Sequence, residues 1–143
     1  MEKLSVERTI WIAAPRERAW QAITDPQQLT AWFAPGSTWE IPALEVGRPA
    51  KFYNAPDDIA LHTIAALEPP RHFALSWEEN GQPMLTTFTL KEENNGTRVT
   101  INESGFEQLP DEIRETRVEQ TAAGYTMSLE NLKAYLEGRS IPN

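Results

Sequence analysis

The chain has 143 residues, 40% of them hydrophobic, with a formal net charge of −8 and no cysteine, a size and apolar content that suit one globular domain over 1–143. That charge opposes attraction to nucleic acid and to anionic membrane surfaces, which reward clustered Lys and Arg. The lack of thiols excludes a disulfide framework, a redox dithiol, a Cys nucleophile and thiolate zinc, and fits a cytoplasmic location; no apolar run approaches a membrane span, so neither a signal peptide nor an anchor is expected.

In chain order, "SVERTIWIA", Ser5 to Ala13, sets Val6, Arg8, Ile10 and Ile12 against Glu7, Thr9 and Trp11, the period of a strand with one covered face. Trp11 then stands on the outer face, open to a dimer contact or simply to solvent. "APRERAWQAI" places Pro15 in the first turn of a helix that carries Ala19, Trp20 and Ile23 on one side, and "TDPQQLTAWF" restarts with Asp25 as cap and Pro26 behind it. From Thr38 to Ser104 the pattern changes to the β-rich runs "TWEIPAL", "PAKFYN", "IALHTIAAL", "HFALSWEE", "MLTTFTLKE" and "TRVTINES", separated by turn signals such as "ENGQ" and "ENNGT". This predicts an antiparallel meander. Phe73, Leu75 and Trp77 share a face, as do Thr86, Phe88 and Leu90, and Val99, Ile101 and Glu103. The element that covers this face starts near "LPDEIRE", with Asp111 as its cap, and ends at Gly138; it is a helix roughly 40 Å long. One strand, two short helices, six strands and one long helix give an α+β fold.

On a helical wheel, Val118, Ala122, Tyr125, Leu129, Leu132 and Leu136 form one stripe of the long helix, with Ala123, Met127 and Ala134 behind it. After Leu129 the stripe is solidly apolar; before it the same sector carries Arg114, Thr121, Gly124 and Ser128. Small and polar side chains on a sheet-facing surface leave space and hydrogen-bonding groups, so a cavity is expected beneath the first half. The alternative is a packed core in which Gly124 admits a bulky Trp, and Thr121 and Ser128 bond back to helix carbonyls.

"VERTIWIAAPRERAWQAITDPQQLTAWF", "LEPPRHFALSW", "GTRVTINESGF" and "GYTMSLENLKAYLEG" together resemble the activator of heat-shock protein 90 ATPase homologue-like branch of the START-like (SRPBCC, Bet v 1-like) superfamily. The resemblance covers nearly the whole chain. It implies a helix-grip fold, in which a curved seven-stranded antiparallel sheet wraps a long C-terminal helix and two short helices close one end. It also implies a hydrophobic ligand between helix and sheet, and, through the family's co-chaperone members, a possible chaperone partner. The family brings no shared catalytic motif.

The inventory for catalysis is thin. His62 lies in a strand and His72 follows "PPR", with no acidic cluster beside either, so no metal site and no cofactor are expected. No nucleophile elbow, phosphate-binding loop or dinucleotide fingerprint occurs. In the resembled fold the first and last strands are neighbours, which would bring Arg8 near Glu103 as a partly buried ion pair; such a pair fixes packing more often than it serves a ligand. Of the aromatics, Trp20 and Phe88 read as core. Trp32, Trp39, Phe52 and Trp77 from the short helices and sheet, and Tyr125 from the long helix, are candidate ligand-binding residues. Glu103, Arg117, Thr121, Gly124 and Ser128 complete that set.

The reading is therefore a small-molecule binding protein for a hydrophobic or amphipathic ligand, not an enzyme, with no nucleic-acid partner and no membrane insertion. Two alternatives stand beside it: a protein-interaction module acting on heat-shock protein 90, and a cyclase- or dehydratase-like enzyme using Glu103 or His62.

Overall fold

The computed structural model describes residues 4–143; the first three residues of the domain expected over 1–143 lie outside the described residues. β1 (Ser5–Ile12), β2 (Thr38–Glu40), β3 (Pro49–Ala55), β4 (Asp58–Glu68), β5 (His72–Glu79), β6 (Gln82–Glu93) and β7 (Gly96–Ser104) form one antiparallel sheet in the order β1-β7-β6-β5-β4-β3-β2. The tight turns have a local cause: Asn80 and Gly81 between β5 and β6, and Asn94 and Asn95 between β6 and β7, all have positive φ, the conformation that matches hairpin twist. Register shifts between Tyr53 and Ala55 in β3 and between Ile64 and Ala66 in β4 mark bulges, which bend the strands that carry them.

The helices are α1 (Arg16–Thr24), α2 (Pro26–Trp32) and α3 (Asp111–Leu136). Asp25 caps α2 as expected, accepting the Gln27 N–H at 3.1 Å, and Pro15 is the N-cap of α1, one position before its first turn. Asp111 is not a cap. Pro110 holds the N-cap position of α3, and the Asp111 carboxylate instead pairs with Arg114 at 2.7 Å. The far end closes with Gly138 at φ 74 and the Arg139 N–H on the Ala134 carbonyl at 2.8 Å, a left-handed helix stop. Among the described residues no helix is long and apolar enough to cross a membrane.

The main core joins Ile12, Ile23, Trp32, Ile64, Phe73 and Phe88 to Leu129 and Leu132 of α3. Val6, Met84, Phe106 and Leu109 form a second, smaller cluster, against which Val118 and Ala122 pack; Tyr125 touches both. Every buried residue of α3 lies at or after Ser128, so the helix changes character at the predicted place. Two positions on the wheel are corrected. Ala134 is fully buried rather than behind the stripe. Arg114 donates to the carbonyls of Phe106, Glu107 and Leu109, locking the loop before α3 instead of facing a cavity. The wheel fixed the angle of each residue but not how deeply each turn sinks against its neighbours.

Trp11 is tied down rather than free. Its indole N–H donates to the Glu93 carbonyl at 2.7 Å, and the Lys133 ammonium lies 5.1 Å from the ring centroid. Gly96 makes room for it, since a Cβ there would lie 2.4 Å from the Ile12 carbonyl and 2.7 Å from the Trp11 ring.

Candidate functional site

Alternation along the strands aims Phe52 of β3, Ala60 and His62 of β4, Phe73, Leu75 and Trp77 of β5, Thr86 and Phe88 of β6, and Glu103 of β7 at the concave face. With Ile23, Leu29, Phe33, Trp39 and Tyr125 they line a chamber of about 190 Å³ that opens outward. An outer vestibule of about 370 Å³ shares Phe33, Phe52, Trp77, Glu103 and Tyr125 as walls, and is roofed by Arg117, Thr121, Gly124, Ser128 and Asn131 of α3. The roof follows from periodicity: these residues recur every three or four positions, on the flank of α3 beside the one that packs on the small cluster.

Aromatic rings form one side as a chain of edge and tilted contacts. Phe33 meets Trp39 at 5.6 Å and Phe52 at 5.7 Å between centroids; His62 lies between Trp39 at 5.3 Å and Trp77 at 5.6 Å. The polar groups run on from there. The Trp77 N–H donates to Thr86 Oγ1 at 3.0 Å, the Thr86 hydroxyl donates to Glu103 Oε1 at 3.0 Å, and the Tyr125 hydroxyl donates to the same oxygen.

Burial raises the Glu103 carboxyl above its ordinary range, against the opposing pull of the Tyr125 and Thr86 hydrogen bonds. Burial, with the Glu103 charge beside it, pushes the Tyr125 phenol well above its usual value, so it stays a neutral donor. Burial lowers His62, against the Ala60 and Ala50 carbonyls, which favour the charged form; its imidazole is neutral at neutral pH. The indole N–H of Trp39 is buried without a hydrogen-bond partner among the described residues. Arg117 Nε lies 3.0 Å from Glu79 Oε1, an ion pair whose geometry is not that of an aligned hydrogen bond.

The structure brings Trp39, Phe52, Trp77, Glu103, Arg117, Thr121, Gly124, Tyr125 and Ser128 onto these two spaces. Trp32 is not with them: it is fully buried, donates to the Ala22 carbonyl at 2.8 Å and lines neither space. Phe33, next along the chain, takes the chamber wall instead, because neighbours at a helix end point about 100° apart. Phe88 borders the chamber as well as the core.

The expected Arg8–Glu103 pair does not form. Val6, not Arg8, is the register partner of Glu103, and Arg8 is exposed, donating to Thr126 Oγ1 at 3.3 Å and to the Glu7 carbonyl at 2.8 Å. Leaving the guanidinium in water avoids the desolvation that pairing in the chamber would require. The packing alternative for Gly124 also fails, since a Cβ there would meet nothing within 4 Å. Sequence reasoning missed Thr86 and Asn131 as lining and passed over the aromatic Phe33 in favour of Trp32; Thr86 stood on a recognised inward face, but Asn131 carried no distinguishing signal. Among the described residues no group of three or more His, Cys, Asp or Glu could hold a metal ion.

A family model described as Activator of Hsp90 ATPase homolog 1-like protein matches residues 13–137. Among solved structures, the chain is similar to DynU16, a protein of the dynemicin biosynthetic locus, at 22% identity and TM-score 0.78, covering 97% of this chain and 49% of that one. Protein MLL2253 from Mesorhizobium loti is similar at 23% identity and TM-score 0.77, over 96% and 99% of the two chains. The Aha1 dimer from Colwellia psychrerythraea is similar at 20% identity and TM-score 0.72, over 94% and 96%. At these identities the likeness establishes the fold, a helix-grip sheet around a long C-terminal helix. No protein of curated function matches by sequence.

Proposed function

We propose that this chain, which belongs to the Activator of Hsp90 ATPase homolog 1-like family, binds a small apolar or amphipathic molecule between α3 and the sheet. One ring-sized end sits in the chamber and the remainder in the vestibule. The observation that carries this reading is the unfilled, aromatic-walled chamber of about 190 Å³ inside an otherwise packed core. An apolar cavity of about 150 Å³ accepts benzene, so the chamber holds at least one ring. Aromatic walls with a few convergent polar groups are the usual make-up of a small-molecule pocket.

In this reading Trp39, Phe52, Trp77 and Tyr125 supply apolar wall, and Glu103 is the polar anchor. Arg117, Thr121, Gly124 and Ser128 form the mouth. Trp32 supports the wall from behind. Turnover is not part of the proposal, and a cytoplasmic site of action accompanies it through the cysteine-free, acidic composition.

Native mass spectrometry and thermal-shift screening of the purified chain against fatty acids, flavonoids and polycyclic aromatics test the reading. Retained mass and a raised melting temperature are expected for at least one class. No retention and no shift for any class would overturn it. The family name also raises action on heat-shock protein 90, and stimulation of that ATPase by a chain that retains no ligand would favour that role instead.

A further inference from the structure

The neck where the chamber meets the vestibule is built from the five residues that border both spaces: Phe33, Phe52, Trp77, Tyr125 and Glu103. Four are aromatic and the fifth is a carboxylate. The hydrogen bonds around that carboxylate are those of an anion. An indole N–H can only donate, so Trp77 takes Thr86 Oγ1 as its acceptor and the Thr86 proton turns toward Glu103. The Tyr125 hydroxyl donates to the same Oε1, and two donors on a carboxylate oxygen favour its charged form. What opposes the charge is burial, a cost that a counter-ion offsets.

The fold supplies no such counter-ion. Among the described residues the hydrogen-bond partners of Glu103 are the Thr86 and Tyr125 hydroxyls, and it makes no ion pair. Arg117 is close enough to feel its charge, but its Nε lies 3.0 Å from Glu79 Oε1, so two carboxylates share one guanidinium. Arg8 is turned away to Thr126 and the Glu7 carbonyl, and burial keeps His62, on the chamber wall, neutral at neutral pH. One negative charge around the neck is left uncompensated.

Resting on the binding reading above, we propose that the molecule bound here is a monocation, an ammonium on an apolar ring-sized body, with the body in the chamber and the ammonium in the neck against Glu103 and the surrounding rings. Aromatic rings attract a cation through their quadrupole, and the carboxylate gains the partner that the fold withholds. A carboxylate ligand meets the opposite situation, because a second negative charge in a poorly hydrated neck is repelled. Glu103 thus selects the ligand by charge, while the chamber selects it by size.

The test uses three probes of similar shape: naphthylmethyl-trimethylammonium, its uncharged carbon isostere neopentylnaphthalene, and naphthylacetate. Calorimetry on the wild-type chain at neutral pH should rank the ammonium first, roughly tenfold tighter than the isostere, with the carboxylate weakest. That ranking needs no variant to fold. The titratable and charged groups around Glu103 are Tyr125 and Arg117 of α3, Glu79 of β5 and, on the chamber wall, His62 of β4. Acidification protonates Glu103 and His62, and both changes disfavour a cation, so the ammonium's advantage should shrink as pH falls. Glu103→Gln should cut the advantage to about threefold, the share that the rings supply. The isostere or naphthylacetate binding as tightly as the ammonium, or an advantage undiminished in Glu103→Gln, would overturn the inference and leave the binding reading intact. Retention of fatty acids or flavonoids without the ammonium would do the same; retention of none of the probes and none of the screened classes would overturn both.

Discussion

Gly124 separates stability from binding better than any other position. It lies inside α3, twelve residues before the end at Leu136, and a Cβ there would meet nothing within 4 Å. Glycine in a helix interior is less favourable than alanine by about 1 kcal/mol, because the unfolded chain loses more freedom. With no steric term to oppose it, Gly124→Ala should raise stability by about 0.5–1 kcal/mol, seen as a rise of about 2–4 °C in melting temperature for a chain of this size. A methyl group leaves most of the vestibule open, so affinity for any ligand found by screening should change less than about twofold, under 0.5 kcal/mol. Gly124→Leu should keep the helix gain but fill the mouth, lowering affinity at least tenfold, or about 1.4 kcal/mol. Urea denaturation and calorimetry on the two variants measure both quantities. Destabilisation by alanine would show that the glycine serves close packing, and undiminished binding by the leucine variant would show that the ligand does not pass beneath α3.

Trp32→Phe removes the N–H on the Ala22 carbonyl and leaves a small void; it should cost roughly 2–3 kcal/mol in denaturation while ligand affinity stays within about twofold. His62, whose pKa burial lowers from 6.5, binds fewer protons folded than unfolded, so stability should fall as pH drops below 6.5 through its folded value; His62→Leu should flatten that limb of the pH profile. Glu103 has the opposite sign. Its raised pKa gives a contribution that is fullest below the unfolded value and lost as pH rises through the folded one, with Tyr125, Thr86, Glu79 and Arg117 facing it. Glu103→Gln should therefore be more stable than the wild type at neutral pH, and the difference should disappear in denaturation below pH 4.5. Glu137 is held at about 2 by the Ala13 N–H at 3.0 Å and by Lys133 and Arg139. Glu137→Gln should cost about 1 kcal/mol near neutrality, and the loss should shrink as pH falls from 4.5 toward about 2.

Strand alternation, turn chemistry and helix stops made the fold legible without coordinates. "ENGQ" and "ENNGT" become turns at Asn80–Gly81 and Asn94–Asn95 with positive φ, and the change in α3 near Leu129 is where burial begins. These features are local: a φ preference or a period is carried by a few neighbouring residues and survives in most surroundings. The inward direction of Glu103 and Trp77 was legible for the same reason.

What each inward residue would meet was not. Glu103 met Tyr125 and Thr86 rather than Arg8, and Trp32 sank into the core while Phe33 took the wall. The Trp39 N–H was left without a partner among the described residues. Those outcomes depend on sheet curvature, on the depth of each helix turn and on competition among nearby donors. The sequence by itself determined which way the side chains point and where each element stops, because period and propensity are local. Only the tertiary structure decided which pairs touch and where space remains, because contact is a property of two surfaces brought together and neither strand nor helix carries the other's position.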